Sequence, residues 1–163
     1  MDAVDAVNSL PAERLGRDLR ACCAAPAWGA AIVAARPFAD RAAVRAAADA
    51  AARSLSWDDV LVALAAHPRI GERAAGDSTE AAWSRREQSA VAPDPELVAA
   101  NRAYEEKFGH VFLIFASGRG KEEIVAEARK RLENDSGTER EIVQDELRKI
   151  ALLRLERMLD ARG

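Results

Sequence analysis

The run Arg41–Arg53, Arg-Ala-Ala-Val-Arg-Ala-Ala-Ala-Asp-Ala-Ala-Ala-Arg, leaves this chain little choice but helix. Alanine gives up no side-chain freedom on entering a helix, and its methyl group is too small to drive sheet packing. Asp40 precedes the run as a capping carboxylate, and Val44, Ala47, Ala48 and Ala51 recur along one helical face. The same bias runs through all 163 residues: 49% are hydrophobic, much of that alanine, and only 5% are aromatic. The fold class expected is all-α, a helical bundle. At this length one domain over 1–163 is the expectation, and the chain can bury a core without metal or disulfide support.

Capping chemistry marks the boundaries. A helix is expected from about Pro11 toward Ala24, because proline suits a first turn whose N–H has no internal acceptor. Pro26 interrupts it, and Trp28–Ala35 reads as a short helix or irregular turns. Ser56 with Asp59 forms a capping pair for a helix running through Leu61 and Leu64 to Ala66, which Pro68 terminates. Gly71–Gly76 reads as a loop, with Ser78 or Thr79 capping a helix that carries Trp83, Glu87 and Gln88. Asp94 and Pro95 start a helix through Asn101, Tyr104 and Phe108, and Gly109 permits a bend. The apolar run Val111–Ala116 fits a strand by composition, although its length does not decide the matter. Helical spacing resumes at Ile124 and ends at Asn134–Gly137, after which Thr138 and Glu141 make a capping box for a final helix through Met158.

Charge excludes some functions. The net charge is -3, from 24 basic and 27 acidic residues, so nothing draws the chain to nucleic acid. Arg129-Lys130-Arg131 lies between Glu127 and Glu133 and reads as a solvated helix face. No apolar stretch is long enough to cross a membrane, and the N-terminus lacks a secretory pattern. The ending Ala161-Arg162-Gly163 is not a peroxisomal address, so the cytoplasm is the expected setting. Cys22 and Cys23 are adjacent, without the spacing of a zinc or C-x-x-C centre, and are expected to be reduced. His67 has no H-x-x-H or H-E-x-x-H context, so no metal site is expected.

The candidate chemistry centres on His67, one of only two histidines, at the break before Pro68. Histidine can exchange a proton near neutral pH. The alternative is a capping histidine in a rigid proline turn. Ser84 and Gln88 are one helical turn apart and Glu87 sits beside them; these residues offer a carboxylate, a hydroxyl and a carboxamide to a ureido or amide-like ligand. The alternative is ordinary polarity on an amphipathic helix. Arg119 beside Gly118 can grip a carboxylate bidentately or stand solvated in its turn. Arg154, inside an apolar final helix, can enter a site or extend its guanidinium to water. His110 reads as a helix-end or packing residue.

In order and spacing, four segments resemble 2-oxo-4-hydroxy-4-carboxy-5-ureidoimidazoline (OHCU) decarboxylase, which makes (S)-allantoin in urate breakdown. They are His67-Pro68-Arg69-Ile70-Gly71, Ser84-x-x-Glu87-Gln88, Asn101-x-x-Tyr104-x-x-Lys107-Phe108-Gly109 with the apolar segment after it, and Glu146-x-x-Lys149-Ile150 with Arg154 downstream. The resemblance implies an all-helical, cofactor-independent decarboxylase, often a homodimer, acting on a small ureide substrate. It implies His67 as the principal catalytic residue with Glu87 as its partner. It implies substrate contacts at Pro68, Ser84, Gln88 and Arg154, and along the backbone of Ile114, Phe115, Ala116, Ser117 and Gly118. Arg119 is added from its place in that loop. Where the family commonly carries a bulky hydrophobic residue after Phe-Gly, this chain has His110. Association with the preceding hydrolase of urate breakdown is a further possible partnership. The competing reading is an inactive ureide-binding or helical scaffold protein.

Overall fold

The computed structural model describes residues 2–70, 79–88 and 94–162. Every regular element among the described residues is an α-helix. Contacts gather the chain into two compact units, one formed by Met1–Ala63 with Leu147–Gly163 and the other by Leu64–Glu146.

The first unit contains α1 (Ala3–Ser9), α2 (Ala12–Cys22), α3 (Pro26–Ala34), α4 (Arg41–Arg53), nearly all of α5 (Trp57–Leu64) and the C-terminal part of α9 (Ser136–Arg162). The alanine-rich run forms α4 as expected, with the Asp40 carboxylate accepting from the Ala43 N–H at 2.8 Å. Its inner stripe is Val44, Ala48, Ala51 and Ala52, so Ala52 replaces Ala47 in the expected set. Small side chains let α3 approach closely, and the buried Trp28 indole N–H donates to the Ala48 carbonyl at 3.0 Å. Leu15, Leu19, Ile32, Leu155 and Leu159 are fully buried in this unit. Burying side chains of this size stabilises by roughly 1.5–3 kcal/mol each. Cys22 and Cys23 are both buried thiols outside any disulfide.

Three helix starts differ from expectation. Helix α3 begins at Pro26, two residues before the expected Trp28, because proline suits a first turn. The short α1 was not anticipated; the Asp2 carboxylate caps it by accepting from Asp5 N–H at 2.8 Å. Helix α9 begins at Ser136, before the expected Thr138–Glu141 box, because Asp135 accepts from the Thr138 N–H at 2.7 Å. The Ser56–Asp59 pair caps reciprocally, with Asp59 N–H donating to Ser56 Oγ at 3.1 Å and Ser56 N–H to Asp59 Oδ2 at 3.3 Å.

The second unit contains α6 (Thr79–Glu87), α7 (Pro95–Phe108), α8 (Lys121–Arg131) and the start of α9. The sequence signals for α7 hold: Asp94 accepts from the Glu96 N–H, Pro95 occupies the first turn, and Gly109 ends the helix at φ 78°. That left-handed value suits glycine and strains other residues. His110 then packs as expected, stacked on Phe108 and edge-on to Tyr104. Val111–Ala116 forms neither strand nor helix. The expected loop Gly71–Gly76, the turn at Ala92-Pro93 and the cap at Ser78 lie outside the described residues.

Arg131 overturns the reading of its basic run as a solvated face. Arg129 and Lys130 are exposed, but Arg131 is buried against Glu139, which is fully buried. Its Nε donates to Glu139 Oε1 at 2.7 Å, and its Nη1 donates to the Leu113 carbonyl at 2.8 Å. Nη2 lies 2.5 Å from the same carboxylate oxygen but has no acceptor in hydrogen-bond alignment among the described residues, so that contact is electrostatic. The guanidinium also lies over the Phe112 and Tyr104 rings, 4.6 and 5.6 Å from their centroids. Tyr104 O–H donates to Glu139 Oε1 at 2.5 Å and Asn134 Nδ2 donates to Oε2 at 3.1 Å. Burial, and then the bond to Glu139, push the Tyr104 phenol far above its ordinary pKa, keeping it a neutral donor.

Candidate active site

His67 stands three residues past the end of α5, where its N–H returns to the Leu64 carbonyl at 3.0 Å. Pro68 has no N–H with which to extend the helix, so the chain leaves the helical path at the histidine. His67 and Pro68 are half-buried, Arg69 is exposed and Ile70 is buried. The turn therefore keeps an imidazole partly open to solvent while its far end is fixed in the core.

Helix α6 buries Ala81, Ser84 and Glu87, three residues apart along one face, with Glu87 only 7% exposed. Ordinary surface polarity would have turned Ser84 and Glu87 outward. Burying a carboxylate is costly unless polar groups serve it, so such a face marks a site more readily than a packing surface. Gln88, half-buried, continues the helix with its N–H donating to the Ser84 carbonyl at 3.2 Å, which places these two residues one turn apart.

The third piece is Ile114–Arg119. Side chains hold its approach where secondary structure does not. Arg131 donates to the Leu113 carbonyl, and the buried Glu146 carboxylate accepts from the Phe115 N–H at 3.3 Å. Ile114 and Ala116 are buried, Phe115, Ser117 and Arg119 half-buried, and Gly118 exposed. The Arg119 N–H closes a turn onto the Ala116 carbonyl at 3.0 Å, with Gly118 in the left-handed region at φ +80°. Ile70, Ile114 and Ala116 belong to one core cluster with Leu97, Ala100 and Tyr104. The His67 turn and this segment thus share a single packed foundation. Beside it, a cavity of about 240 Å³ is lined by Arg69, Ile70, Asp94, Leu97, Asn101 and Glu105, among others. None of the predicted site residues lines that cavity, and the chemistry is better placed on the polar groups than on this volume.

The known proteins similar to this chain converge on one family. The family model described as OHCU decarboxylase matches residues 8–156, a span that runs through both units. The chain belongs to the OHCU decarboxylase family. The OHCU decarboxylase of Amia calva is 31% identical over 161 residues, covering 92% of this chain and 90% of that protein. The uric acid degradation bifunctional protein TTL of Arabidopsis thaliana is 31% identical over 157 residues, covering 90% of this chain. The chain spans only about half of that bifunctional protein, 48% of its length. A crystal structure of OHCU decarboxylase in the presence of (S)-allantoin matches with TM-score 0.67 and 28% identity, covering 88% of this chain and 97% of that one.

The family's expected site residues fall in the second unit, with one exception. Arg154 lies on the part of α9 that belongs to the first unit. It does not extend to water: it is 1% exposed, and its Nη1 donates to the Ala21 carbonyl at 3.3 Å. Three residues that serve the OHCU decarboxylase fold near the site had no assigned role from sequence: Asn101, Arg131 and Glu146. Asn101 and Glu146 stood within the motifs; Arg131 was concealed by its charged neighbours. Among the described residues no three His, Cys, Asp or Glu side chains gather into a metal-binding group, and no helix is long and apolar enough to cross a membrane.

Proposed function

We propose that this chain decarboxylates OHCU to (S)-allantoin, with His67 and Glu87 handling protons. The observation that carries the reading is α6, which turns Ser84 and Glu87 inward in a chain whose family match spans most of its length. The substrate carries a hydroxyl and a carboxylate on one ring carbon. Breaking the bond to the carboxylate releases carbon dioxide, and its electron pair moves into the adjacent ring imine. His67, assisted by Glu87, takes the hydroxyl proton as the ring carbonyl forms. The neighbouring carbon accepts a proton on one face, and the balance over all steps is one proton taken up for each carbon dioxide lost. Gln88, Ser84, Pro68 and the Ile114–Gly118 backbone hold the ureido arm, and Arg119 meets the carboxylate. Fixing that arm restricts protonation to one face. Arg154 is retained as a carboxylate ligand on family resemblance alone. This chemistry uses no cofactor.

Residues 1–163 are proposed to work as one functional domain, as a cytoplasmic homodimer. Association with the preceding hydrolase is supported by the similarity to a bifunctional uric acid degradation protein. The test is turnover of freshly generated OHCU by parent and folded His67→Asn protein, with chiral detection of allantoin against the spontaneous background. The expected outcome is rapid S-enantiomer formation that the variant loses. Racemic product at the background rate from folded parent rejects the enzyme and leaves the ureide-binding or scaffold reading.

A further inference from the structure

We infer that Asn101 is a positioning residue for His67. The inference rests on the decarboxylase reading above and adds to it a residue outside the expected site. Asn101 lies in the middle of α7 and is 5% exposed. Its Nδ2 donates to the Ile70 carbonyl at 2.7 Å, a buried bond across 31 residues of sequence. That carbonyl is three residues beyond the imidazole-bearing residue. One helical turn further along α7, Glu105 Oε1 accepts from Arg69 Nε at 2.8 Å. Residues four apart on a helix share a face, so one face of α7 grips two successive residues of the His67 turn.

The grip matters because nothing in the helical pattern extends into this turn. Pro68 lacks an N–H, and the backbone has already left the helix. The Ile70 side chain settles into the core cluster with Leu97 and Tyr104 of α7, but apolar packing does not fix the direction of a peptide plane. The Asn101 bond does. The carboxamide can make it in one orientation only: rotated by half a turn, Oδ1 would face the Ile70 oxygen, acceptor against acceptor. In the orientation present, Oδ1 has no hydrogen-bond partner among the described residues. Among the described residues the visible contribution of this buried side chain is the donor to Ile70. Arg69–Glu105 is an exposed pair and contributes the lesser share.

The experiment replaces the donor and keeps the shape. In Asn101→Asp, an ionised carboxylate cannot donate to the Ile70 carbonyl. Displacing a catalytic group by about 1 Å can cost on the order of 100-fold in rate. The expected result at pH 7.5 is therefore a kcat drop of roughly 10- to 100-fold, with KM nearly unchanged, after correction for the folded fraction. Acid should rescue it. Burial raises a carboxyl pKa, and a protonated carboxyl donates as the amide did. Asp94, Glu105, Arg69 and Arg102 line the cavity beside this side chain and set where that protonation falls. The ratio of variant to parent kcat should climb as pH falls toward about 5. A merely structural residue would lower the folded fraction and leave the corrected kcat alone. Asn101→Ala, which withdraws the donor without adding charge, takes its place if the aspartate variant does not fold, and must show the same kcat loss. A folded variant with parental kcat, in a parent that makes (S)-allantoin, overturns the role of Asn101 alone. A parent that makes none above background overturns the decarboxylase reading and this role with it.

Discussion

Replacing Glu139 with glutamine should cost about 3–5 kcal/mol, the range for breaking a buried ion pair by removing one member. The carboxylate is fully buried and Arg131 is 2% exposed, so water cannot take over from either. Glu139 receives Arg131 Nε at 2.7 Å, Tyr104 O–H at 2.5 Å and Asn134 Nδ2 at 3.1 Å. Hydrogen bonds to charged groups contribute roughly 1.5–3 kcal/mol each. Glutamine keeps one acceptor oxygen for Arg131 and Tyr104, but it turns an amide N–H₂ toward Asn134 Nδ2, so that bond is lost, the remaining two are no longer to a charged acceptor, and the guanidinium is left uncompensated. Against a stability of roughly 5–15 kcal/mol, the change removes a fifth or more of the fold's margin. Arg131→Met alone should also be costly, because it strands Glu139 and the Leu113 carbonyl. The double variant should be less destabilised than the sum of the two, by about 1–3 kcal/mol. Urea unfolding of all four proteins, with equal slopes checked, measures this cycle. A loss below about 1 kcal/mol for Glu139→Gln, or strict additivity, would refute the claim that this network is a coupled buried pair.

Gly118→Ala isolates backbone strain beside the site. At φ +80° and with nothing within 4 Å of the added methyl group, the cost is the left-handed conformation alone, roughly 1–2 kcal/mol, or a Tm about 2–8 °C lower. Gly109→Ala, at φ +78° and equally open, should lose similar stability without the loss of turnover expected at Gly118; equal activity losses at both would detach the Gly118 turn from the site. Asp94 offers a pH test. The bond from Lys121 first, and then the Glu96 N–H, hold its carboxyl below the usual range. A depressed pKa stabilises the fold above the unfolded value, about 3.9, and the gain is lost as pH falls through the folded value. Asp94→Asn should therefore be less stable than parent at pH 7, and the difference should close in acid below about pH 4. A gap that stays constant down to pH 2 in chemical denaturation would show that the ionised form of Asp94 is not what stabilises the cap.

What the sequence made legible was local. Asp94, Pro95 and Gly109 delimit α7 because caps and stops act within a few residues. Composition left Val111–Ala116 open because its backbone is satisfied by side chains of α8 and α9, which no window around the segment contains. Arg131 was misread for the same reason: its neighbours in sequence are charged and exposed, but its carboxylate partner lies eight residues on and its carbonyl partner eighteen residues back. The short α1 was missed because Ser9-Leu10-Pro11 is also a plausible helix start. In the site, His67 and the Ser84–Glu87–Gln88 set were visible as residue types in a motif. That α6 would bury two of its polar residues was not, since periodicity reports which face is apolar and this helix has no such face to follow.

The pair Cys22–Cys23 has a practical use. With exposures of 0% and 2%, neither thiol offers a foothold to a soluble alkylating reagent while α2 stays docked. The rate at which such a reagent takes hold then becomes a stopwatch for the opening of the unit that holds Met1–Ala63. His67 and Glu87 lie in the other unit, and amide exchange along α6 and α7 keeps separate time for that half. Running the two clocks together as denaturant rises would tell whether the halves come apart as one cooperative body or in sequence.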